Sequence, residues 1–131
     1  MNKIIELIKQ SSAKTIGKTT SRDIEKAQDR LHFIFPEEYR TFLENFGAMV
    51  CGSNELYGLG IEGYMNVVES TIQERKLYPK QLDNVVVIKN EGIEGILLTL
   101  DDGGNVFEFR NGTSKLLYNS FKEFLEKEIL E

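Results

Sequence analysis

A chain of 131 residues, 40% hydrophobic and 28% charged, has the size and composition of one ordinary globular domain, able to bury a core without disulfide or metal staples. Its single cysteine, Cys51, excludes an internal disulfide, and no apolar run approaches the roughly 20 residues of a membrane helix. The net charge of −5 is uneven: residues 1–22 carry five bases and one acid, whereas residues 23–131 carry 11 bases and 20 acids, a net −9, which repels nucleic-acid backbones and attracts basic partners.

In chain order, Asn2–Gln10 places Ile4, Ile5, Leu7 and Ile8 on one helical face. Its apolar run is short and contains Glu6, so no signal peptide is expected, and with one cysteine the expected location is the cytoplasm. Ser11–Thr20, rich in Ser, Thr, Lys and Gly, reads as a mobile connection. Residues 1–20 are then a basic N-terminal helix and connection, and residues 21–131 the core of a single domain. Thr20 or Ser21 caps a second helix, with Ile24, Ala27, Gln28 and Leu31 on one face. Pro36-Glu37-Glu38 opens a third. Proline at the first helical position gives up no hydrogen bond, and the carboxylates sit at the positive end of the dipole. Tyr39, Phe42, Leu43 and Phe46 form its apolar face, and Gly47 is suited to a left-handed C-terminus. The chain then loosens through Gly52-Ser53-Asn54 before a strand or turn at Glu55–Leu59.

Asn66 and Glu69 have capping-box spacing for a helix that runs to about Leu77 and is stopped by Pro79. Val85-Val86-Val87-Ile88 is β-branched throughout and predicts a central strand over 84–90. Glu91-Gly92 turns, 95–100 is a strand, and Asp101-Asp102-Gly103-Gly104 is a hairpin signal. Two further strands, 105–110 and 114–118, flank Asn111-Gly112. Ser120 and Glu123 open a last helix with Phe121, Phe124, Leu125 and Ile129 facing inward. N-terminal helices, an antiparallel meander and a C-terminal helix packed around it make the fold class α+β.

Little catalytic chemistry is visible. His32 is the sole histidine, and Cys51 has no base or orienting partner in view. Gly58-x-Gly60-x-x-Gly63 matches the dinucleotide fingerprint as a bare pattern but follows no buried parallel strand. Asp101–Asn105 lacks the alternating acids of a calcium loop. No catalytic residue, cofactor or metal is expected. The acids Glu55, Glu62, Glu91, Glu94, Asp101 and Asp102 gather at predicted loops and hairpin ends, where binding residues commonly sit. Taken singly, each reads as a solvated surface acid; as a set they form an acidic loop surface that attracts a basic partner. Tyr57 and Tyr64 in the same region read equally as interface anchors and as core or edge packing. These eight are the candidate partner-binding residues.

The order of Ile24, Glu25, Leu31, Phe35-Pro36, Tyr39, Phe42-Leu43, Phe46-Gly47 and Glu55-Leu56-Tyr57-Gly58-Leu59 resembles the SUKH superfamily. Those proteins are best known as bacterial immunity proteins and as a domain of fungal cell-wall regulators. Val85–Ile88, Leu97–Gly103, Val106–Phe109 and Phe121-x-x-Phe124-Leu125 extend the resemblance to roughly residues 21–130; Ala48 stands where the family usually carries a second glycine. The resemblance implies an immunity protein that binds a cognate polymorphic toxin, often a nuclease with a basic active-site surface, and blocks it stoichiometrically. The alternative is a regulatory or scaffold module like the fungal members, against which the small size of the chain argues, while an enzyme is the weakest of the three readings. No direct nucleic-acid or membrane contact is expected. An uncovered sheet edge or the first helix's apolar face offers a route to a homodimer.

Overall fold

The computed structural model describes residues 2–93 and 95–130, with side chains from residue 3 onward. The elements are α1 (Asn2–Lys9), β1 (Lys14–Thr15), α2 (Ser21–Leu31), α3 (Glu37–Phe46), β2 (Met49–Cys51), β3 (Asn54–Leu56), α4 (Val67–Leu77), β4 (Val85–Asn90), β5 (Ile96–Asp101), β6 (Val106–Arg110), β7 (Thr113–Tyr118) and α5 (Phe121–Phe124). A π-helical turn, Leu125–Ile129, continues α5. The strands form two antiparallel sheets, ordered β1-β2-β3 and β4-β5-β6-β7. The α+β class expected from the element order is the class observed.

Local chemistry accounts for most boundaries. Thr20 Oγ1 accepts from Asp23 N at 3.1 Å and starts α2, which buries Ile24, Ala27 and Leu31. His32 closes it in the left-handed conformation (φ 52°), exposed to solvent, its N–H directed at Asp29 O. In α3, Pro36 is the capping residue rather than the first helical one. Its φ of −63° suits either position, but its ψ of 154° is extended, and its carbonyl accepts from Arg40 N at 2.9 Å. Gly47 also departs from the expected left-handed helical geometry, with φ 75° and ψ −75°. That conformation sends its carbonyl to Leu59 N at 3.0 Å, and a Cβ there would lie 2.6 Å from Gly17 O. Two backbone segments pass too closely there for any side chain.

The core is aromatic at its centre. Tyr39 packs edge-on to Phe35 (5.3 Å) and Phe121 (5.2 Å), with Phe42 and Phe124 beside them, the geometry ring quadrupoles favour. From α1, Ile4 and Ile8 join the same buried cluster. Lys122 N donates to Glu38 Oε1 at 2.9 Å, so an acid from the first turn of α3 caps the last helix.

Two further expectations are corrected. Residues 11–20 are not a free connection: β1 pairs with β2, and Ile16 N and Gly17 N donate to Ala48 O and Phe46 O at 3.0 and 2.9 Å. The polar composition reflects an edge strand whose side chains point outward, not an absence of pairing. β4 is not a central strand either. It ends its ladder, with β5 as its only strand neighbour in that sheet. Val85–Ile88 are nevertheless all buried, because other groups cover the open edge. Thr71 Oγ1 accepts from Val87 N at 2.9 Å, and Tyr57 N donates to Ile88 O at 2.9 Å.

Arg75 fixes α4 from its inner side. Its guanidinium donates to Leu31 O (2.8 Å), Leu82 O (2.9 Å) and Val85 O (3.0 Å). It thereby serves the last turn of α2 and the entry to β4 together. Burial pulls its pKa down, with the charge of Asp83 opposing. Among the described residues, no helix is long and apolar enough to cross a membrane.

Candidate functional site: an acidic cleft walled by tyrosines

A cleft of about 550 Å³ opens between the end of β3, the loop that follows it, the outer face of α4 and the end of β4. Glu55 and Tyr57 enter it from β3 and the residue beyond, Gly63 and Tyr64 from the loop, Glu69, Ser70, Gln73 and Glu74 from α4, and Asn90 from β4. The loop's course is set by backbone contact. Gly58 N donates to Met65 O at 3.0 Å, and Val67 N to Gly58 O at 2.8 Å. A Cβ on Gly58 would stand 1.7 Å from Gly47 O, so only glycine fits. This is the duty of the first glycine in the fingerprint-like run. Asn66 joins loop to helix: Oδ1 accepts from Val68 N (2.9 Å) and Glu69 N (3.1 Å), while Nδ2 donates to Ile61 O (2.9 Å).

Tyr57 forms the floor. Only 4% of it is exposed. Its backbone is pinned twice, by Ile88 O and by the Tyr39 hydroxyl, which donates to Tyr57 O at 2.7 Å. Tyr64 stands at the rim, 62% exposed, edge-on to Tyr57 with centroids 6.1 Å apart. Its hydroxyl donates to Glu55 Oε2 at 2.6 Å.

The electrostatics are those of uncompensated negative charge. Burial pushes the Tyr57 hydroxyl up to about 12, reinforced by the charges of Glu55, Tyr64 and Glu74 and opposed by the Asn90 backbone N–H. The hydrogen bond to Glu55 raises Tyr64 as well. Burial raises the Glu74 carboxyl above the usual carboxylate range. Among the described residues, none of Glu55, Glu69 and Glu74 pairs with a lysine or arginine. Such a cleft offers carboxylates and ring faces to a cation.

The eight sequence-predicted residues divide. Glu55, Tyr57 and Tyr64 come together in the cleft, and exposed Glu62 precedes its lining residue Gly63. Glu91 lies one residue beyond Asn90, half-buried, its carboxylate on the ammonium of buried Lys89. Glu94 lies outside the described residues. Asp101 and Asp102 are elsewhere: Asp101 pairs with Val85 at the start of β4, whereas Asn90 is at its end, roughly 17 Å away at the usual strand rise. Asp101 Oδ1 accepts from Gly103 N (3.0 Å) and Asn105 N (2.8 Å), and Oδ2 from Asn105 Nδ2 (3.1 Å). Asp102 is exposed. Sequence reasoning missed Glu69 and Glu74, because it sought binding acids in loops and gave Glu69 a capping role. The signal was the spacing 69, 70, 73 and 74, which puts four polar residues on one helical face beside a loop with two tyrosines.

His32 and half-buried Cys51 are both outside the cleft lining. Among the described residues, no group of three or more His, Cys, Asp or Glu is placed to hold a metal ion. Fold and cleft together define an α+β domain whose chief surface feature is a preformed acidic and aromatic depression. The SUKH_5 family model, described as SMI1-KNR4 cell-wall, matches residues 1–130, and the chain belongs to this SUKH family. Membership supports a protein-interaction role, of toxin-immunity or SMI1-KNR4 type. No match to the chain was found among curated proteins.

Proposed function

We propose that the protein is an immunity protein that binds a cognate polymorphic toxin with a nuclease domain and neutralises it by stoichiometric occlusion of a basic surface. The observation that carries this reading is the cleft itself: Glu55, Glu69 and Glu74 beside Tyr57 and Tyr64, with no lysine or arginine of the chain's own to answer them among the described residues. A nuclease holds phosphate and so presents basic groups, which carboxylates mimic and cover. The net −9 of residues 23–131 accelerates encounter, and buried aromatic contact slows release. Glu62 extends the contact surface; Glu91, Glu94, Asp101 and Asp102 add to the field. The protein works in the cytoplasm without contacting nucleic acid or membrane, and a homodimer through the β7 end of the larger sheet is compatible with an open cleft.

Co-expression with the product of the adjacent gene tests this. Rescue of growth and a co-purifying complex whose association weakens with salt are expected. A toxic neighbour that is not rescued sinks the reading. The family's SMI1-KNR4 cell-wall description favours the second reading, a regulatory interaction module; a non-toxic neighbour that still co-purifies would establish it.

A further inference from the structure

We infer that β7 is the seam between two copies of this chain, paired antiparallel about a two-fold axis at Leu116, so that two four-stranded sheets join into one. The inference deepens the homodimer named above and rests on that reading of a binding protein whose cleft stays open.

The ends of the sheets are treated unequally. At the far end of the larger sheet, β4 is covered by bonds to the Thr71 hydroxyl and the Tyr57 N–H. The end strand of the smaller sheet, β1, is two residues long and carries Lys14. Covering, shortening and charging are how a monomer keeps an edge from recruiting another strand. By contrast β7 runs for six residues without proline or glycine, and β6 is its only strand neighbour in that sheet.

The hairpin turn fixes what this strand presents. Asn111 and Gly112 both have positive φ and form a two-residue loop, which makes Arg110 and Thr113 a pair that exchanges both backbone bonds. Alternation along the ladder gives Glu108 and Lys115 the same pattern, and turns the N–H and C=O of Ser114 and Leu116 away from β6. Among the described residues, no other group bonds them.

The side chains select the occupant and the register. Leu116, 49% exposed, lies opposite half-buried Phe107. A two-fold axis at Leu116 sets it against its own image and carries the apolar row of Phe107 and Leu116 across the seam into the second copy. Lys115 is the one charged residue of β7. It opposes the neighbouring register, in which it would face its own copy at the closer, non-hydrogen-bonded spacing. With Leu116 on the axis, Lys115 lies opposite Leu117 instead. The match uses only the strand's own residues, as a two-fold interface requires. Both clefts, at the β4 ends, lie away from the seam.

Sedimentation equilibrium of the full chain is expected to show monomer and dimer in exchange. Leu116→Lys, at an exposed position, is expected to leave only monomer, with an unchanged circular dichroism spectrum. Oxidative cross-linking in a Cys51→Ala background then reads the register. Leu116→Cys is expected to form a disulfide dimer, because hydrogen-bonded antiparallel partners have Cα atoms about 5.5 Å apart. Lys115→Cys is expected not to, because its two copies stand diagonally and out of range. A wild-type monomer at about 1 mM, a dimer that survives Leu116→Lys, or cross-linking at 115 in preference to 116 overturns the inference. These measurements need no toxin. A monomer that still rescues growth would refute the seam alone, and a dimer that fails to rescue would refute the immunity reading alone.

Discussion

The carboxylate of Asp101 accepts three hydrogen bonds inside its own turn, whereas the carboxylates of Glu69 and Glu74 have no cation of the chain's own among the described residues. Both regions are acidic, polar and adjacent to glycine-bearing loops. One consumes its charge to hold a hairpin; the other leaves its charge facing solvent in a concave, aromatic setting. Adjacent residues of α4 repeat the contrast. Arg75 turns inward and donates to carbonyls of α2, of β4 and of the turn that precedes β4, while Glu74 lines the cleft. A charged side chain bonded several times within the fold reads out in stability, and one left open reads out in binding.

The largest effect expected from breaking this contrast is at Arg75. Arg75→Ala strands the carbonyls of Leu31, Leu82 and Val85, and should cost about 3 kcal/mol in denaturant unfolding. A loss below about 1 kcal/mol would mean that α4 is held by its apolar contacts alone. Next is Asp101→Ala, expected to lower stability by about 1–2 kcal/mol, against a change within about 0.5 kcal/mol for exposed Asp102→Ala. Equal values for the pair would remove the distinction drawn at the hairpin.

Tyr57 sharpens the contrast by pH. Its folded pKa of about 12 lies above the usual value near 10. The protonated form is therefore favoured by folding, and that contribution is present below about pH 10 and lost as pH rises through about 12. Spectrophotometric titration of wild type should show a late-ionising tyrosine that Tyr57→Phe removes. The smallest stability effect is at Glu74. Burial raises its carboxyl, so ionisation disfavours the folded state; its contribution is full below the unfolded carboxyl range and declines as pH rises through the raised value. Glu74→Gln should be slightly stabilising at neutral pH, within about 0.5 kcal/mol, with the difference vanishing in acid. A destabilising Gln would show that Glu74 has a structural partner.

The helices were legible because their signals are local. Thr20, Asn66 and Ser120 each accept the N-terminal amide bonds that their positions predict, and the inward set Phe121, Phe124, Leu125 and Ile129 is buried as the spacing requires. What was not legible depends on distant partners. Val85–Ile88 has the all-apolar composition of a central strand, yet its second edge is covered by a threonine hydroxyl and one amide rather than by a strand. Lys14–Thr15 carries no apolar alternation at all, and becomes a strand only through Val50 and Met49. The cleft was half legible. Tyr57, Tyr64 and Glu55 are close in sequence, so composition could group them, but Glu69 and Glu74 join them only when α4 is docked through Arg75. Asp101 failed to group with them in space for the converse reason, since the length of β4 separates the two ends.

The hydroxyl of fully buried Tyr39 holds the main chain at Tyr57, so the bottom of the depression is an extension of the aromatic core, while Tyr64, Glu69 and Gln73 stand on exposed positions around it. Foundation and furnishing are thus separable. Exchanging the exposed residues leaves the Tyr39–Tyr57 link intact, and a switch of partner becomes a matter of redecorating the perimeter without renegotiating the fold. Variation of this kind is cheap for a protein whose target changes, and a library restricted to positions 64, 69 and 73 is where altered recognition should be sought.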